Sequence, residues 1–142
     1  MTSPRTLLGF DFGTRKIGLA TGQSLTGSAS PLTALPCRDG VPDWQQVGAL
    51  LAEWQPDLLV VGLPLNMDGS ESELSRRARR FAGRLKGRFG TPVVLVDERL
   101  STREARDRMG DRWRGGPDPR VDSMAAAILI EAYLADGAGE PV

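Results

Sequence analysis

The feature that most constrains this chain is a single carboxylate inside an apolar stretch, residues 7–20 (LLGFDFGTRKIGLA). Apolar residues alternate with glycine and Asp11 as far as Phe12, a Gly-Thr pair offers a turn, and an apolar pattern then resumes. This pattern predicts a strand, a tight turn and a second, antiparallel strand. Asp11 is therefore expected on a central strand of a sheet.

A carboxylate buried on a central strand must be paired, hydrogen-bonded or bound to a cation, because an unpartnered one costs several kcal/mol. Two roles fit Asp11 equally well from this stretch alone. It is either one half of a structural ion pair, with Arg15 or Lys16 nearby in the chain, or a ligand of a metal ion.

The residue counts narrow the chemistry. The 142 residues contain no histidine, which removes the usual general base and the commonest zinc ligand. Two lysines stand against sixteen arginines, and the formal net charge is zero. Catalysis would therefore have to use carboxylates, and only the local placement of arginines can indicate a polyanionic partner.

The length and composition are those of one ordinary domain spanning residues 1–142, with residues 1–5 and 136–142 expected to be flexible. No apolar run approaches the roughly 20 residues of a membrane span, and no signal peptide precedes the first strand. The single Cys37 suits a reducing compartment. We therefore expect a cytoplasmic protein without membrane contact, and the sequence leaves its oligomeric state open, a homodimer being one option.

The remaining periodicities predict a mixed sheet. A proline-bracketed third strand (28–36) precedes a helix over residues 44–54, capped by Asp43. Buried strands are predicted at 57–63 and 92–98, separated by a helix over about 71–86 that a Ser70/Glu73 capping box opens. A last helix, starting near Asp118, is expected to dock on the sheet through apolar positions such as Ala125, Ile128 and Ala132.

Three acidic residues are predicted to meet at one edge of this sheet. Asp11 and the Asp97-Glu98 pair end predicted core strands, and Asp122 lies in the first turn of the last helix. Ligand sites in such sheets form at the carboxyl ends of the strands beside the switch in strand order. Carboxylates without histidine or cysteine favour Mg²⁺ or Mn²⁺, which would activate water for phosphodiester hydrolysis.

Four segments resemble the ordered motifs of the YqgF/RuvX family, and the resemblance runs from about residue 7 to residue 134. They are residues 9–18 (GFDFGTRKIG), 61–70 (VGLPLNMDGS), 97–102 (DERLST) and 121–126 (VDSMAA). The resemblance implies a ribonuclease-H-like α/β fold, a mixed five-stranded sheet flanked by helices, related to the RuvC Holliday-junction resolvases.

The resemblance also implies roles for particular residues. Asp11, Glu98 and Asp122 match the family's acidic positions, here the expected catalytic residues and metal ligands. Asp97 leaves open which acid of its pair is the ligand. Because successive strand residues face opposite ways, only one of the two is expected to serve, and we predict that it is Glu98, which matches the family's acidic position. Matching or neighbouring polar positions are expected to contact nucleic acid; in these motifs they are Thr14, Arg15, Lys16, Asn66, Arg99, Ser101 and Thr102.

The function that this resemblance implies is a metal-dependent endonuclease acting on structured nucleic acid. The family is described both as maturing the 5′ end of the 16S ribosomal RNA precursor and as resolving branched DNA, and the sequence does not decide between the two. Two alternatives come from other classes. The Asp-x-Gly-Thr segment at Asp11 also resembles the phosphate loop of the sugar kinase, Hsp70 and actin superfamily, an ATP-binding module; a nuclease fold that binds nucleic acid without cutting is the other.

Two basic segments add candidate contacts. Between Arg76 and Arg88 the chain carries seven basic residues and no acidic one, which fits either a solvated helix face or a track for a polyanion. A glycine-flanked loop carries Arg112, Trp113 and Arg114, and Trp113 is available to stack on an unpaired base. We expect these three loop residues to contact nucleic acid.

Overall fold

The computed structural model describes residues 5–100 and 123–142, and every element below belongs to those residues. Seven strands, three α-helices and one 3₁₀ turn follow each other along this part of the chain. The strands are β1 (Thr6–Asp11), β2 (Lys16–Gln23), β3 (Ser28–Arg38), β4 (Val41–Pro42), β5 (Leu58–Leu63), β6 (Val93–Asp97) and β7 (Glu140–Pro141). The helices are α1 (Trp44–Trp54), α2 (Glu73–Phe89) and α3 (Met124–Asp136), and the 3₁₀ turn is Glu98–Leu100.

The strands form one mixed sheet in the order β4-β3-β2-β1-β5-β6-β7. The strands β1, β2 and β3 pair antiparallel, as the opening pattern predicts, whereas β5 pairs parallel with β1 and with β6. The five long strands confirm the expected α/β fold with a mixed five-stranded sheet. The two-residue strands β4 and β7 extend its edges and were not expected. Within the described residues, no helix has both the length and the apolar character needed to cross a bilayer.

Helix boundaries follow the sequence at α1 and depart from it at α2. The Asp43 side chain accepts a hydrogen bond from the Gln45 amide and caps α1, as predicted. The predicted Ser70/Glu73 capping box is wrong, because α2 begins two residues later and its reciprocal capping pair is Ser72 and Ser75. The Ser70 hydroxyl instead donates a hydrogen bond to the Asp68 carboxylate within the preceding loop.

The two faces of the sheet carry different cores. Leu8 and Phe10 point from β1 toward α1 and α2, whereas Leu7 packs in the cluster beneath α3. Gly9 also lies on the α3 side, since a Cβ there would approach Ile130 within 2.7 Å. Because side chains alternate along a strand, Asp11 lies on the α3 face, at the carboxyl end of β1.

Helix α3 docks closely because glycines on the sheet face it. A Cβ at Gly22 would lie 2.4 Å from Ile130 Cγ2, and one at Gly62 would lie 2.6 Å from Leu129 Cδ1. Ile128 is buried as expected, but Ala126 and Ile130 form the deepest contact instead of Ala125 and Ala132. Helix α3 is apolar on all sides, so periodicity could not indicate its docking face.

The chain end adds to the sheet. We expected a flexible tail over residues 136–142, but Glu140–Pro141 forms β7 and pairs with β6. Glu140 also forms an ion pair with Arg79 of α2, and the Val142 amide donates a hydrogen bond to the Val93 carbonyl. These contacts hold the end of the chain against the edge of β6.

Candidate active site

Asp11 ends β1 half-buried, between two strands that carry glycine at its level. Gly18 of β2 is its direct partner in the antiparallel register. On the other side Phe10 pairs with Val61, so Gly62, the next residue of β5, lies level with Asp11. Neither neighbouring strand therefore places a side chain beside the Asp11 carboxylate.

The Glu98 carboxylate occupies the space that Gly62 leaves open. A Cβ at Gly62 would lie 2.6 Å from Glu98 Oε1, on the side of the sheet where Leu129 of α3 lies. Glu98 thus reaches from the end of β6 over β5, toward β1. Since neighbouring strands are about 5 Å apart, Asp11 and Glu98 converge on one face at one strand spacing.

Asp97 points to the opposite face. It lines a cavity on the α2 side with Leu95 and Arg79, and its Oδ2 atom accepts a hydrogen bond from Arg99 Nη2 at 2.7 Å. Hydrogen bonding to the Arg99 guanidinium lowers the pKa of Asp97 below its ordinary value. The structure therefore separates the two neighbouring acids, and Glu98 is the one on the face of Asp11.

Arg99 and Asn66 brace the loop after β5. Arg99 Nη1 donates to the Met67 carbonyl at 3.1 Å, and its guanidinium lies 3.4 Å from where a Cβ of Gly69 would be. Asn66 Nδ2 donates to Ser70 Oγ at 3.0 Å within the same loop. Both side chains thus stabilise the loop after β5. Their predicted contact with nucleic acid stays a prediction.

Thr14, Arg15 and Lys16 lie exposed on the turn between β1 and β2, directly after the Asp11 strand end. The backbone of this turn is anchored, because the Thr14 carbonyl accepts from the Gly40 amide and the Arg15 carbonyl from the Cys37 amide, both at 2.9 Å. The turn therefore presents two cations from a fixed backbone beside the carboxylates.

Ser123 joins α3 to the same strand end. Its buried Oγ accepts a hydrogen bond at 2.8 Å from the amide of Leu19, the residue of β2 that pairs with Phe10. Sequence analysis missed Ser123, which carried no distinguishing signal, and Gly62, whose signal was an isolated glycine in a buried strand. Such a glycine indicates the close approach of another group, here Glu98.

The other predicted site residues lie outside the described part of the chain. They are Asp122, Ser101, Thr102, Arg112, Trp113 and Arg114. Within residues 5–100 and 123–142, no group of three or more acidic or cysteine side chains is arranged to hold a metal ion. The described residues thus supply the pair Asp11 and Glu98.

Comparison with known proteins identifies relatives over almost the whole chain. The family described as "RuvX: Holliday junction resolvase" matches residues 5–136. A protein of Chromohalobacter salexigens, named "Putative pre-16S rRNA nuclease", is 59% identical over 134 residues, which cover 93% of this chain and 90% of the relative. An Alcanivorax borkumensis protein of the same name is 59% identical over 132 residues, covering 93% and 97%.

Solved structures share the fold at low sequence identity. Thermus thermophilus RuvC in complex with a Holliday junction substrate superposes with a TM-score of 0.58 at 18% identity, covering 97% of this chain and 99% of that one. A further Thermus thermophilus RuvC structure gives a TM-score of 0.57 at 17% identity, covering 96% and 99%. The likeness covers almost the whole of both chains, and at this sequence identity it shows a shared fold.

Proposed function

The chain belongs to the RuvX family, and from this premise we propose that it is a metal-dependent endonuclease whose metal ligands are Asp11, Glu98 and Asp122. The family and its relatives indicate a nuclease of the pre-16S rRNA or resolvase type. The metal dependence and the ligand set are inferred here from the chemistry of this chain's own residues.

One observation carries the proposal: Asp11 and Glu98 converge over Gly62 while Asp97 is turned away and paired with Arg99. Two carboxylates about one strand spacing apart on the same face can both donate oxygen to a single divalent cation. Gly18 and Gly62 place no side chain of β2 or β5 beside the Asp11 carboxylate. Oxygen donors of this kind fit Mg²⁺ or Mn²⁺, and such an ion supplies activation of water and stabilisation of the leaving oxygen.

Asp122 is proposed as the third ligand because of its neighbour in the chain. Ser123 is held against β2 at Leu19, the level of Phe10, and Asp122 is joined to it by one peptide bond. This adjacency in the chain supports Asp122 as the third ligand. A third carboxylate would complete a hard-oxygen set.

The surrounding cations are proposed to bind the substrate backbone. Arg15 and Lys16 project from the anchored turn beside Asp11, where they suit the phosphates that flank the cleaved bond. The glycine-flanked segment with Arg112, Trp113 and Arg114 is proposed to contact unpaired nucleotides, Trp113 by stacking on a base. Thr14, Ser101 and Thr102 are proposed as uncharged phosphate contacts.

The test is a cleavage panel. Purified protein is incubated with a labelled four-way DNA junction, a matched DNA duplex and a structured RNA that carries the 5′ precursor region of 16S rRNA, each with Mg²⁺, Mn²⁺ or EDTA. We expect cleavage of the junction or the RNA with either metal, none with EDTA, and none by Asp11→Asn at an unchanged melting temperature. Cleavage that persists in EDTA, or in a folded Asp11→Asn protein, would disprove the metal site.

The same panel separates the other hypotheses. A non-cutting binding domain would bind the junction or the RNA but leave both intact under every metal condition. An ATP-binding module would bind ATP with Mg²⁺ and show no preference among the nucleic acids. If Asp11 were half of a structural ion pair, Asp11→Asn would lower the free energy of unfolding by a few kcal/mol and leave activity intact.

A further inference from the structure

The basic residues of α2 divide into a group with partners and a group without. Four have partners: Arg77 pairs with Asp39 at 2.8 Å and Arg79 with Glu71 at 2.9 Å, while Lys86 donates to the Val142 carbonyl and Arg88 stacks 4.5 Å over the Trp44 ring. These four basic residues therefore have structural roles in the protein itself. The role of the remaining arginines of α2 is not explained by such contacts.

Arg80 and Arg84 form no hydrogen bond or ion pair with any residue in 5–100 or 123–142. Both side chains are exposed, and at i and i+4 they lie on one face, about 6 Å apart along the helix axis. Like charges at this spacing destabilise a helix, so the pair does not exist for the stability of α2. Arg76 continues the row by one turn toward Glu71. Hydrogen bonding to the Arg79 guanidinium is the main cause that lowers the pKa of Glu71, and the charge of Arg76 adds to it.

The two arginines also line a cavity. The cavity has a volume of about 180 Å³ and lies between α2 and the chain at Gly40 and Val41. Arg77 lines it too, and so does Asp39, the acid that Arg77 neutralises. Three guanidinium groups thus face one carboxylate, which leaves the cavity with a net positive charge.

Phe12 connects the cavity to the strand end that carries Asp11. It lines the cavity and follows Asp11 directly in the chain. Its ring lies 2.8 Å from where a Cβ of Gly40 would be. Because the cavity lies on the α2 side of the sheet and Asp11 on the α3 side, a nucleic-acid strand bound at Asp11 reaches the cavity by passing around the end of β1.

We propose that Arg80 and Arg84, with the cavity they share with Arg77, bind the phosphate backbone of the substrate segment that flanks the cleaved bond. This inference rests on the proposed nuclease function and adds to it a second contact surface on the α2 side of the sheet. Bound phosphates relieve the repulsion between the arginines and need no base sequence, because backbone contacts position a nucleic acid without reading it. The same repulsion opposes a second copy of this chain docking here.

The test measures binding apart from cleavage. In an Asp11→Asn background, with EDTA to stop any residual cutting, the affinity for a fluorescent four-way junction and for the structured RNA is titrated from 50 to 300 mM salt. The test variant is Arg80→Gln/Arg84→Gln. Two controls accompany it: Arg5→Gln, which removes an exposed cation at the opposite end of β1, and Arg80→Lys/Arg84→Lys, which keeps the charge.

We expect the glutamine pair to reduce the slope of log affinity against log salt by about 1.4 to 1.8, since each lost contact contributes about 0.7 to 0.9. At 0.1 M salt this corresponds to roughly five- to eightfold weaker binding per contact. The loss should be equal on unrelated sequences. Arg5→Gln should change neither quantity, and the lysine pair should keep most of the slope.

Three results would overturn the inference. A glutamine pair that binds like Arg5→Gln would disprove the α2 surface, and it would leave the nuclease proposal standing if the protein with Asp11 intact cleaves the junction or the RNA. Stronger binding to poly-glutamate than to nucleic acid would assign the surface to an acidic protein instead. A protein that binds neither the junction nor the RNA with all its arginines present would overturn the nuclease proposal together with this one.

Discussion

The two faces of the sheet are built from side chains of different size. Under α1 and α2, Phe81 packs against Phe10 and Trp44 with ring centroids 5.7 and 5.9 Å apart. Under α3, Gly9 and Gly22 meet the helix with no room for a methyl group. Aromatic rings bury the most apolar area, whereas glycines let the backbones of sheet and helix approach closely.

This difference divides two tasks between the faces. The aromatic face supplies hydrophobic stabilisation, because large rings bury much apolar area. The glycine face holds Glu98 and the start of α3 at fixed heights above β5 and β2. The candidate site lies at the end of the glycine face, where Glu98 approaches Gly62.

The largest effect is expected from substitutions of the two neighbouring acids, Asp97 and Glu98, which lie on opposite faces of the sheet. Glu98→Gln should reduce cleavage to background, because it removes a charged ligand with little change of volume. Asp97→Asn should retain most of the activity, since Asp97 pairs with Arg99 on the other face. Single-turnover cleavage rates of the two folded variants decide it; a larger loss at position 97 would invert the assignment.

A second comparison removes one large side chain from each face. Phe81→Ala should lower the free energy of unfolding by about 3 to 5 kcal/mol and Ile130→Ala by about 2 to 5 kcal/mol. At a temperature where both variants stay folded, Phe81→Ala should cleave nearly normally and Ile130→Ala should not, because α3 loses its contact with Gly9 and Gly22. Urea unfolding and rates per folded molecule check this. Equal activity losses would show that both faces position the site.

A third comparison adds one methyl group. Gly62→Ala would press a Cβ into Glu98 Oε1 and Leu129, so we expect a loss of about 1 to 3 kcal/mol in stability and a marked fall in cleavage. Gly83→Ala is the matched control, because a Cβ there meets nothing within 4 Å on exposed α2. The control should gain about 0.5 to 1 kcal/mol from helix propensity. Thermal unfolding should show a lower melting temperature for Gly62→Ala and a higher one for Gly83→Ala.

The smallest expected effect concerns the Asp97–Arg99 pair. The pKa of Asp97 is lowered in the folded protein, so its pairing with Arg99 stabilises the protein above the unfolded pKa of 3.8. This contribution is lost as the pH falls through the folded pKa of Asp97. Because solvent screens the exposed Arg99 guanidinium, we expect this contribution to be small at pH 7. Urea unfolding of the native protein and Asp97→Asn at pH 7 and pH 3 should show a difference that shrinks in acid; a constant difference would indicate lost packing instead.

Local patterns in the sequence were enough to predict most of the secondary-structure elements. Alternation predicted the β1–β2 hairpin, Asp43 predicted the start of α1, and the apolar runs predicted the parallel strands β5 and β6. Local patterns did not predict the N-cap of α2, where more than one serine could cap the helix. They also did not predict the docking face of α3, which is apolar on all sides. Neighbours along the chain cannot choose between equivalent caps or equivalent helix faces.

The amino-acid sequence alone restricts the possible chemistry, because it has no histidine, carries carboxylates at strand ends and contains four motifs that indicate one family. Alternation along a strand also requires Asp97 and Glu98 to face opposite ways. The fold was needed to show that Glu98 shares the face of Asp11, because that depends on the register of β6 beside β5 and on the glycine at 62. It likewise decided which arginines of α2 are paired, since Asp39, Glu140 and Val142 reach them from distant parts of the chain.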